Sequence, residues 1–510
     1  MATTTALLVV YFLLAVVVTV ESAVSVDEHA HSVRRNTREI GGAPEVEKNP
    51  QFWNNMAKTS IQDALRIQKN HKTKVAKNVV LFLGDGMGVV TVTAARILKG
   101  QKAGNPGEET VLNMETLPHV ALSKTYNIDA QTPEVTATAY LCGVKARWAT
   151  LGLDGRARNE DCSSSKGREV PSVLAWAEYA GKSTGIVSTA RVTHAFTAAA
   201  YAHTANRRWE VDSILPPEAI ENGCKDISAQ LVDDNPGIKV ILVGGRRHFH
   251  AGTDPEYPTD PGSNGVRSDG RNLAQDWLFG KTSARYVWNG TDFRTINPQT
   301  MDYLLGSRID HGHHEGKAVK AINEAVAFDD AVEVAKDLLN LDETLIVVTA
   351  DHAHTVSLGG WDTARGSPIF GKLDPDYVVE SVGDKLVPDG KPYTALQYGT
   401  GPGYNISALR EDITNVNTAN PDYVHQSAVP MIRESHVAED VAIFADGPMA
   451  HLFHGVHEQN YIAHVMKYAA CLGEYAEDCD REERVASGTA RGSFSTAVVL
   501  LSIILQLAWV

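Results

Sequence analysis

Residues 79–88 read Val-Val-Leu-Phe-Leu-Gly-Asp-Gly-Met-Gly, an apolar run that ends in an aspartate between glycines. The run has the length and composition of a buried parallel strand, and the glycines indicate a turn into the helical pattern of residues 91–98. Similar runs recur at 185–187, 240–243 and 345–348, with enough chain between them for crossover helices. The sequence therefore predicts an α/β fold with an open, doubly wound, mostly parallel central sheet flanked by helices.

Carboxylates and imidazoles follow the ends of these predicted strands, where ligands gather in sheets of this kind. Asp85 follows the first strand, and Asp351 and His352 follow the strand at 345–348. Adjacent residues of a regular strand point to opposite faces, so Asp351 and His352 reach one ion only if the chain turns there. Zinc prefers such ligands, and the pattern therefore predicts a zinc site at this edge of the sheet.

A histidine-rich stretch at 308–316, Arg-Ile-Asp-His-Gly-His-His-Glu-Gly, supplies further ligands. Asp310 and His314 are four residues apart, which places them on one face of a helical turn. His436 precedes another strand-like run at 441–444. A solvated histidine-rich loop would give the same composition, but not together with Asp-His-Ala-His at a strand end. Two zinc ions flanking one oxygen nucleophile suit the hydrolysis of phosphate esters.

The composition fits one large hydrolase domain over residues 45–480. The chain has 510 residues, 43% of them hydrophobic, which is enough to bury a sizeable core without a linker-like break. A formal net charge of −15 and the lack of a basic patch with interleaved aromatics argue against nucleic acid as a partner. Residues 365–430 are rich in Gly, Pro and polar residues, which predicts a surface insertion.

Both ends of the chain carry the patterns of processing signals. Residues 6–20 form a short apolar core followed by small residues, which predicts a signal peptide over 1–22. Small residues, a polar spacer and the apolar segment 497–510 predict a GPI-anchor signal over 487–510, which a lipid replaces. The apolar segment is shorter than the roughly 20 residues that a spanning helix needs. We therefore expect a protein held on the extracellular face of the cell membrane.

Cysteine usage agrees with secretion. One arrangement closes two loops and leaves one thiol in an apolar stretch, although spacing alone does not fix connectivity: Cys162 with Cys224, Cys471 with Cys479, and Cys142 unpaired. Asn289-Gly-Thr and Asn405-Ile-Ser are acceptors for N-glycosylation in a secretory context.

A helix is predicted to begin at Asn49-Pro50, because asparagine caps a helix and proline suits its first position. Its apolar residues fall on one face: Trp53, Met56, Ala57, Ile61, Ala64 and Leu65. In the commoner case such a face packs on the core of its own chain.

Five longer motifs carry a resemblance to a known family. They are Val-Leu-Phe-Leu-Gly-Asp-Gly-Met-Gly, Thr-Ala-Thr-Ala-Tyr-Leu-Cys-Gly-Val-Lys-Ala, Arg-Ile-Asp-His-Gly-His-His-Glu-Gly, Val-Val-Thr-Ala-Asp-His and Gly-Pro-Met-Ala-His-Leu-Phe-His-Gly-Val-His-Glu-Gln-Asn-Tyr. In them the chain resembles the animal, GPI-anchored alkaline phosphatases over nearly all of residues 45–480. The resemblance implies hydrolysis of small extracellular phosphate monoesters, two zinc ions and one magnesium ion per chain, the two disulfides above, and a homodimer in which the N-terminal helix takes part.

The resemblance also assigns the ligands of the two zinc ions. Asp310, His314 and His436 would hold one ion, and the other would be held by Asp85, Asp351 and His352. Arg207, in His-Thr-Ala-Asn-Arg-Arg-Trp, matches the family's phosphate-binding arginine. A bidentate guanidinium suits two phosphate oxygens.

The position of the family's nucleophile is vacant. In the family a serine within Pro-Asp-Ser-Ala-x-Thr-Ala-Thr-Ala-Tyr attacks phosphorus and becomes a phosphoserine. Residues 133–140 here read Pro-Glu-Val-Thr-Ala-Thr-Ala-Tyr, two residues shorter, and no serine lies between Ser123 and Cys142. Thr136 aligns with the motif's helical threonine. Thr132 and Thr136 are the remaining candidate hydroxyls, and either needs a shifted loop, although misplacement by about 1 Å already costs catalysis on the order of 100-fold.

The family's magnesium site is degraded. Phe196 stands where the family has Ser or Thr after Arg-Val-x-His-Ala, with Thr197 one step later. Leu305 stands in place of a glutamate, because a long segment after Tyr-Leu-Leu-Gly is absent. That segment normally includes a strand of the central sheet, of which Leu304-Leu305 would be a remnant. Phenylalanine and leucine offer no oxygen to a hard cation.

Two explanations of the gaps near 133–135 and 306–307 stay open. Skipped coding segments would remove loops and leave the rest intact. Phe196 and Val437-Ala438, where the family usually carries glycine, are substitutions that skipping does not create, and they favour divergence. The sequence thus predicts a weak zinc-dependent phosphomonoesterase, or alternatively an inactive anchored protein that binds zinc, phosphate or a protein. A sulfatase-like or phosphodiesterase relative is disfavoured because Cys-x-Pro-x-Arg is missing.

Overall fold

The computed structural model describes most of the residues between 45 and 477. The described ranges are 45–131, 136–252, 264–287, 303–306, 312–360, 365–373, 378–379, 384–385, 387–406 and 409–477. Several sequence predictions lie outside them: the signal segments at 1–22 and 487–510, and the residues Thr132, Asn289, Asp310 and Cys479.

Helices and strands are interspersed up to residue 338 of the described chain, and strands predominate from 344 to 458. The α-helices are α1 (Pro50–Lys69), α2 (Val89–Lys102), α3 (Ala137–Cys142), α4 (Cys162–Ser165), α5 (Val173–Tyr179), α6 (Ala195–Ala198), α7 (Pro217–Glu221), α8 (Ile227–Asp233), α9 (Leu273–Leu278), α10 (Ala318–Leu338) and α11 (Tyr461–Ala469). The strands are β1 (Asn78–Gly84), β2 (His119–Lys124), β3 (Gly185–Arg191), β4 (Val240–Gly244), β5 (Ala251–Gly252), β6 (Gly265–Val266), β7 (Ala284–Tyr286), β8 (Tyr303–Gly306), β9 (Thr344–Ala350), β10 (Ala353–His354), β11 (Val356–Leu358), β12 (Lys372–Leu373), β13 (Val378–Val379), β14 (Asp384–Lys385), β15 (Tyr393–Thr394), β16 (Leu396–Gly401), β17 (Ser427–Pro430), β18 (His436–Val437), β19 (Val441–Asp446) and β20 (Gly455–Glu458).

A five-stranded sheet in the order β1-β9-β19-β2-β20 forms the centre of the fold. Every residue of β9 is buried. Leu345 and Val347 pack into one apolar cluster, whereas Ile346 and Val348 pack into another. The strand thus has apolar layers on both faces, which is why its sequence is a continuous apolar run rather than an alternating one. On one face α10 packs against α2 and β1.

A second sheet, in the order β3-β4-β8-β7, has parallel pairing between all neighbours. The apolar runs at 185–187 and 240–243 therefore form parallel strands, as predicted. In the described chain they belong to a different sheet from the runs at 79–83 and 345–348. Leu304 and Leu305 lie in β8, between β4 and β7, so this short segment does form a strand.

The helix predicted from Asn49-Pro50 is present as α1. The Asn49 side chain accepts a hydrogen bond from the Gln51 backbone N–H at 2.9 Å, and Pro50 is the first helical residue. The expectation that its apolar face packs on the core of its own chain is wrong, because no residue of α1 is buried against the described residues. Ile61 is 61% exposed and Leu65 is 50% exposed.

The span predicted as a surface insertion divides into two parts. Residues 372–393 and 410–416 group into a compact unit of their own, in which Lys372 donates hydrogen bonds to three backbone carbonyls of the 413–416 segment. Elsewhere in the span, β16 pairs with β11 and β17 in a three-stranded sheet, and Tyr398 of β16 is buried.

The cysteines follow the predicted arrangement where they are described. Cys162 and Cys224 form a disulfide. Cys142 is a buried free thiol whose Sγ lies 3.6 Å from the Ala199 carbonyl, and burial raises the pKa of this thiol to about 12. A thiol in such surroundings is unreactive at neutral pH. Among the described residues, no helix combines the length and apolar character needed to cross a bilayer.

Candidate active site

A cavity of about 330 Å³, counted to its open mouth, lies where β1 and β9 end. Such an edge is where ligands bind in sheets with parallel strands. The cavity is lined mainly by carboxylate, imidazole, hydroxyl and guanidinium groups: Asp85, Thr136, Ala137, His194, Ala195, Phe196, Arg207, His314, Asp351, His352 and His436.

The register of β1 and β9 brings the first predicted ligand set together. Gly84 pairs with Ala350, so the residues that follow, Asp85 and Asp351, leave the sheet side by side. The chain turns between β9 and β10, and this turn lets Asp351 and His352 face the same space as Asp85. His352 Nε2 lies 3.5 Å from Asp85 Oδ1 and 3.4 Å from Asp351 Oδ2.

Gly86 is required at this turn for two reasons. Its φ of +68° lies in the left-handed region, and a Cβ here would lie 2.2 Å from the His354 ring. The Gly86 backbone N–H donates a hydrogen bond to Asp351 Oδ1 at 3.0 Å. The turn at Gly86 thus orients the Asp351 carboxylate through its backbone N–H, and Asp85 is the residue that immediately precedes it.

The protonation states of this set suit a cation. His352 Nδ1 donates to the Ala353 carbonyl at 3.2 Å, which assigns the lone pair to Nε2. Burial, and to a smaller extent the nearby imidazole of His314 and charge of Arg207, lowers the pKa of His352 to about 3. Burial raises the pKa of Asp351, which disfavours a free buried carboxylate. Three electron-pair donors therefore converge, and a bound cation would offset their desolvation.

The second predicted set is described in part. His314 Nε2 lies 3.2 Å from His436 Nε2, and His314 Nδ1 donates to the Glu434 carbonyl at 3.0 Å. The structure brings these two imidazoles together, and Asp310 lies outside the described residues. Two ligands of a tetrahedral zinc ion, each about 2.0–2.2 Å from the metal, are about 3.3–3.6 Å apart. The two separations measured in the first set lie in this range, and the one measured in the second set lies close to it.

Two further residues of this cluster were missed by the sequence analysis. His354 Nδ1 hydrogen-bonds a carboxylate oxygen of Glu434, and both side chains are buried. Burial raises the pKa of Glu434 to about 7 and lowers the pKa of His354 well below its usual value. The available signals were the second histidine of Asp-His-Ala-His and an acid two residues before His436, but the antiparallel pairing of β10 with β18 is needed to bring them together.

Arg207 lines the cavity beside these ligands. Its backbone N–H donates to the Ala149 carbonyl at 2.7 Å, which fixes the segment that carries it. Its charge is close enough to His352 to lower the pKa of that imidazole, after the larger effect of burial. The structure thus places the predicted phosphate-binding cation at the same cavity as the metal ligands.

Thr136 also lines the cavity, at the residue before α3. Its hydroxyl donates to the Asp351 carbonyl at 3.0 Å, and the residue is 5% exposed. An attacking hydroxyl needs a base or a metal to take its proton, and a backbone carbonyl is not a base of that kind. The other candidate hydroxyl, Thr132, lies outside the described residues.

Phe196 occupies the place where the resemblance expects a magnesium ligand. Its ring contacts the His194 ring edge to face, with 5.2 Å between centroids, and lines the cavity. The neighbouring Thr197 hydroxyl lies 2.8 Å from the Val192 carbonyl and 2.9 Å from the His194 carbonyl. The hydroxyl one step along the chain is therefore engaged with the backbone of its own turn.

Comparisons with known proteins identify the family. Residues 76–307 and 303–472 match the model of a family described as alkaline phosphatase. Two tissue-nonspecific alkaline phosphatases are similar to this chain. That of Felis catus is 46% identical over 489 residues, which cover 86% of this chain and 91% of the relative. That of Homo sapiens is 45% identical over 515 residues, which cover 91% of this chain and 95% of the relative. An alkaline phosphatase of Gadus morhua is 46% identical over 485 residues, which cover 85% of this chain and 99% of the relative.

Among solved structures, the alkaline phosphatase of Thermus thermophilus has a TM-score of 0.50 at 18% identity, covering 78% of this chain and 92% of that one, which supports the fold. The matched residues and the identities to the animal enzymes extend over most of the chain. This chain therefore belongs to the alkaline phosphatase family.

Proposed function

We propose that this chain is a zinc-dependent phosphomonoesterase of low turnover that acts at the cell surface. The observation that carries the proposal is the convergence of one complete ligand set, the two described imidazoles of the other set and Arg207 on one cavity, without a serine at the family's nucleophile position. Membership of the family implies the hydrolysis of phosphate monoesters as the class of reaction.

We infer that the chain binds two zinc ions. Asp85, Asp351 and His352 would hold one ion, and His314 and His436 would hold the other together with Asp310. Zinc supplies a Lewis acid for phosphate oxygens and lowers the pKa of water. A magnesium ion is not expected to bind tightly, because Phe196 and Leu305 replace its oxygen ligands.

The chain's own residues would bind and orient the substrate. Arg207 presents a planar guanidinium to the cavity and would bind two oxygens of a phosphate monoester. With the Thr136 hydroxyl donated to the Asp351 carbonyl, we expect water to attack phosphorus directly, without a phosphoenzyme. The family resemblance suggests a broad range of small extracellular monoesters.

A second function is favoured by the same site. Phe196 lines the cavity, and the Thr136 hydroxyl is hydrogen-bonded to the backbone. The site therefore keeps groups suited to binding zinc and phosphate, but it lacks a free hydroxyl and a magnesium ligand at these positions. A protein that binds zinc, phosphate or a protein partner at the surface without turnover is therefore the alternative.

Zinc content tests the proposed function. Each ligand set leaves room for water or substrate, so elemental analysis of the purified protein is expected to find close to two zinc ions per chain and little magnesium. Asp351→Asn is expected to reduce the zinc content by about one ion per chain. Asp389→Asn, which removes an exposed carboxylate in the 372–393 unit, should leave it unchanged. Protein without zinc after expression in zinc-supplemented medium would contradict the proposal.

We also propose that a glycolipid holds the mature chain on the outer membrane face, because of the small residues, spacer and apolar segment near the C-terminus. Treating expressing cells with a phosphatidylinositol-specific phospholipase is expected to release most of the protein into the medium. A variant with a spanning helix from an unrelated receptor in place of residues 487–510 should stay with the cells. Retention of the wild-type chain as well would show that the segment is not exchanged for lipid.

We propose a homodimer in which α1 takes part, and the exposed apolar face of this helix supports it. Replacing Ile61 and Leu65 with glutamate would place two charges in such an interface, and we expect the dimer dissociation constant to rise by about 100-fold or more. Gln62→Glu, on the neighbouring face, is the matched control. Light scattering after size exclusion should find monomers only for the double variant, and dimers of unchanged affinity would exclude this face.

A further inference from the structure

Glu434 contacts the candidate metal cluster through its backbone as well as its side chain. Its carbonyl accepts from His314 Nδ1 at 3.0 Å, and its backbone N–H donates to the His314 carbonyl at 3.1 Å. The two bonds join Glu434 to His314 in both directions. Because Nδ1 is the donor, the His314 lone pair lies on Nε2, the nitrogen that faces His436.

The carboxylate of Glu434 fixes a second imidazole. One oxygen is hydrogen-bonded to His354 Nδ1, and the other accepts from the Thr355 backbone N–H and hydroxyl, each at 2.6 Å. Glu434 is 2% exposed, so these three donors, rather than water, satisfy the carboxylate. A buried carboxylate with such partners holds the donor rings in one orientation.

His354 lies at the centre of the imidazole cluster. Its ring centroid is 5.2 Å from that of His314, 5.4 Å from that of His352 and 5.2 Å from that of His436. On another side it stacks on His313 at 4.6 Å. A rotation of the His354 ring would therefore displace rings of both ligand sets.

The segment around Glu434 is itself held in place. Thr400 Oγ1 lies 2.8 Å from Ser435 Oγ, and the Thr400 backbone N–H donates to Thr355 Oγ1 at 3.3 Å. Thr355 thus joins the carboxylate of Glu434 to β16. This network leads directly to His436, which follows Ser435 in the chain.

We infer that Glu434 is a positioning residue of the metal site: its carbonyl fixes the tautomer of His314, and its carboxylate fixes the tautomer and ring orientation of His354, between the two ligand sets. The inference rests on the proposed zinc site. Residues that hydrogen-bond metal ligands from behind typically change metal affinity by 10- to 100-fold when they are replaced. A residue that only satisfies buried polar groups would change folding stability without changing metal affinity or geometry.

Glu434→Gln separates these roles. The amide oxygen can still accept from Thr355, so the amide NH₂ faces His354 Nδ1, which must then become the acceptor. The proton of His354 moves to Nε2. The backbone bonds of residue 434 to His314 are retained, so the variant changes one imidazole and leaves the other. Thr355→Val removes one donor to the carboxylate and serves as a second variant if Glu434→Gln does not fold.

Asp329→Asn is the matched control, because Asp329 is also a fully buried carboxylate with backbone and lysine donors, but it belongs to α10 and accepts from Lys99 of α2. Each purified protein is titrated with zinc in a competing chelator, and its cobalt(II) form is measured by visible absorption. Thermal unfolding of the metal-free form reports folding. Because the substitution acts on the ligands only through His354, we expect zinc affinity to fall by about 10-fold in Glu434→Gln, the low end of the range for residues that contact ligands directly, with an altered cobalt spectrum, and by less in Thr355→Val. Asp329→Asn should lower only thermal stability.

The outcomes distinguish the inference from the proposed function. If Glu434→Gln binds zinc as tightly as the wild-type chain and has the same cobalt spectrum, the positioning role is excluded and the zinc site stands. If Glu434→Gln does not fold, the same result for Thr355→Val excludes the positioning role. If Glu434→Asp, which keeps the charge, has the zinc affinity and cobalt spectrum of the wild-type chain whereas Glu434→Gln does not, the carboxylate is the responsible group. If the wild-type chain binds no zinc, the proposed function and the inference that rests on it both fail.

Discussion

Replacing Glu134 and Val135 with Asp-Ser-Ala-Gly is expected to raise phosphomonoester hydrolysis on the order of 100-fold or more. The replacement restores the two missing residues and puts a serine at the position of the family's nucleophile. In hydrolases without their nucleophile, binding and charge stabilisation alone leave roughly 10³–10⁴-fold acceleration over water, so a large part of the rate enhancement depends on the attacking group. Phe196 and Leu305 would keep the rate below that of intact relatives, because the magnesium ligands stay missing.

The matched control is Asp-Ala-Ala-Gly, which has the same length and no hydroxyl. Steady-state hydrolysis of an activated aryl phosphate, with zinc supplied, measures both. If the serine and alanine variants have the same rate as the wild-type chain, the vacant nucleophile position is not what limits turnover.

Arg207→Ala is expected to weaken phosphate binding by about 100-fold, because two charge-assisted hydrogen bonds of about 1.5 kcal/mol each are lost from a cavity partly shielded from water. Arg207→Lys keeps the charge but not the planar pair of donors, so an intermediate loss is expected. Inhibition of aryl phosphate hydrolysis by inorganic phosphate gives the affinity, and calorimetric titration gives it directly if turnover is too slow.

Arg208→Ala is the control for this series, because Arg208 is adjacent in the chain and exposed. It should bind phosphate as the wild-type chain does. Equal phosphate affinity in Arg207→Ala and Arg208→Ala would mean that the guanidinium at the cavity does not contact phosphate. The phosphate-binding role assigned to Arg207 from its sequence motif would then be wrong.

The central strands were predictable because burial on both faces leaves a clear pattern. In β9 the four residues 345–348 are all apolar, and they divide between the two apolar clusters. The cap at Asn49 was predictable for a local reason, since the accepting side chain and the backbone N–H that donates to it are only two residues apart. The exposure of α1 was not predictable, because an amphipathic helix has the same sequence pattern whether its apolar face packs on its own chain or on another.

The division of the four apolar runs between two sheets was also not predictable. Strand neighbours depend on pairing between distant residues, and a continuous apolar run fits any buried position in a parallel sheet. The pairs β1 with β9 and β3 with β4 are both parallel, so the direction of strand pairing was predicted correctly but the boundary between the two sheets was not.

The candidate site was predictable where ligands adjoin strand ends. Asp85, Asp351 and His352 converge because β1 and β9 are in register to their last residues. His354 and Glu434 were missed because they are 80 positions apart in the chain and meet only through the antiparallel pairing of two-residue strands. Such short strands leave no periodic signal in a sequence.

The most direct test of the account follows the phosphoryl group. The purified, zinc-loaded chain is mixed with an aryl phosphate that carries a radioactive phosphorus, and the reaction is stopped in acid at short times. We expect slow, zinc-dependent release of labelled phosphate and no label on the protein, because water attacks in place of the missing serine. Release at the rate of an ordinary alkaline phosphatase, with label on Thr132 or Thr136, would contradict the account and identify a threonine as the nucleophile.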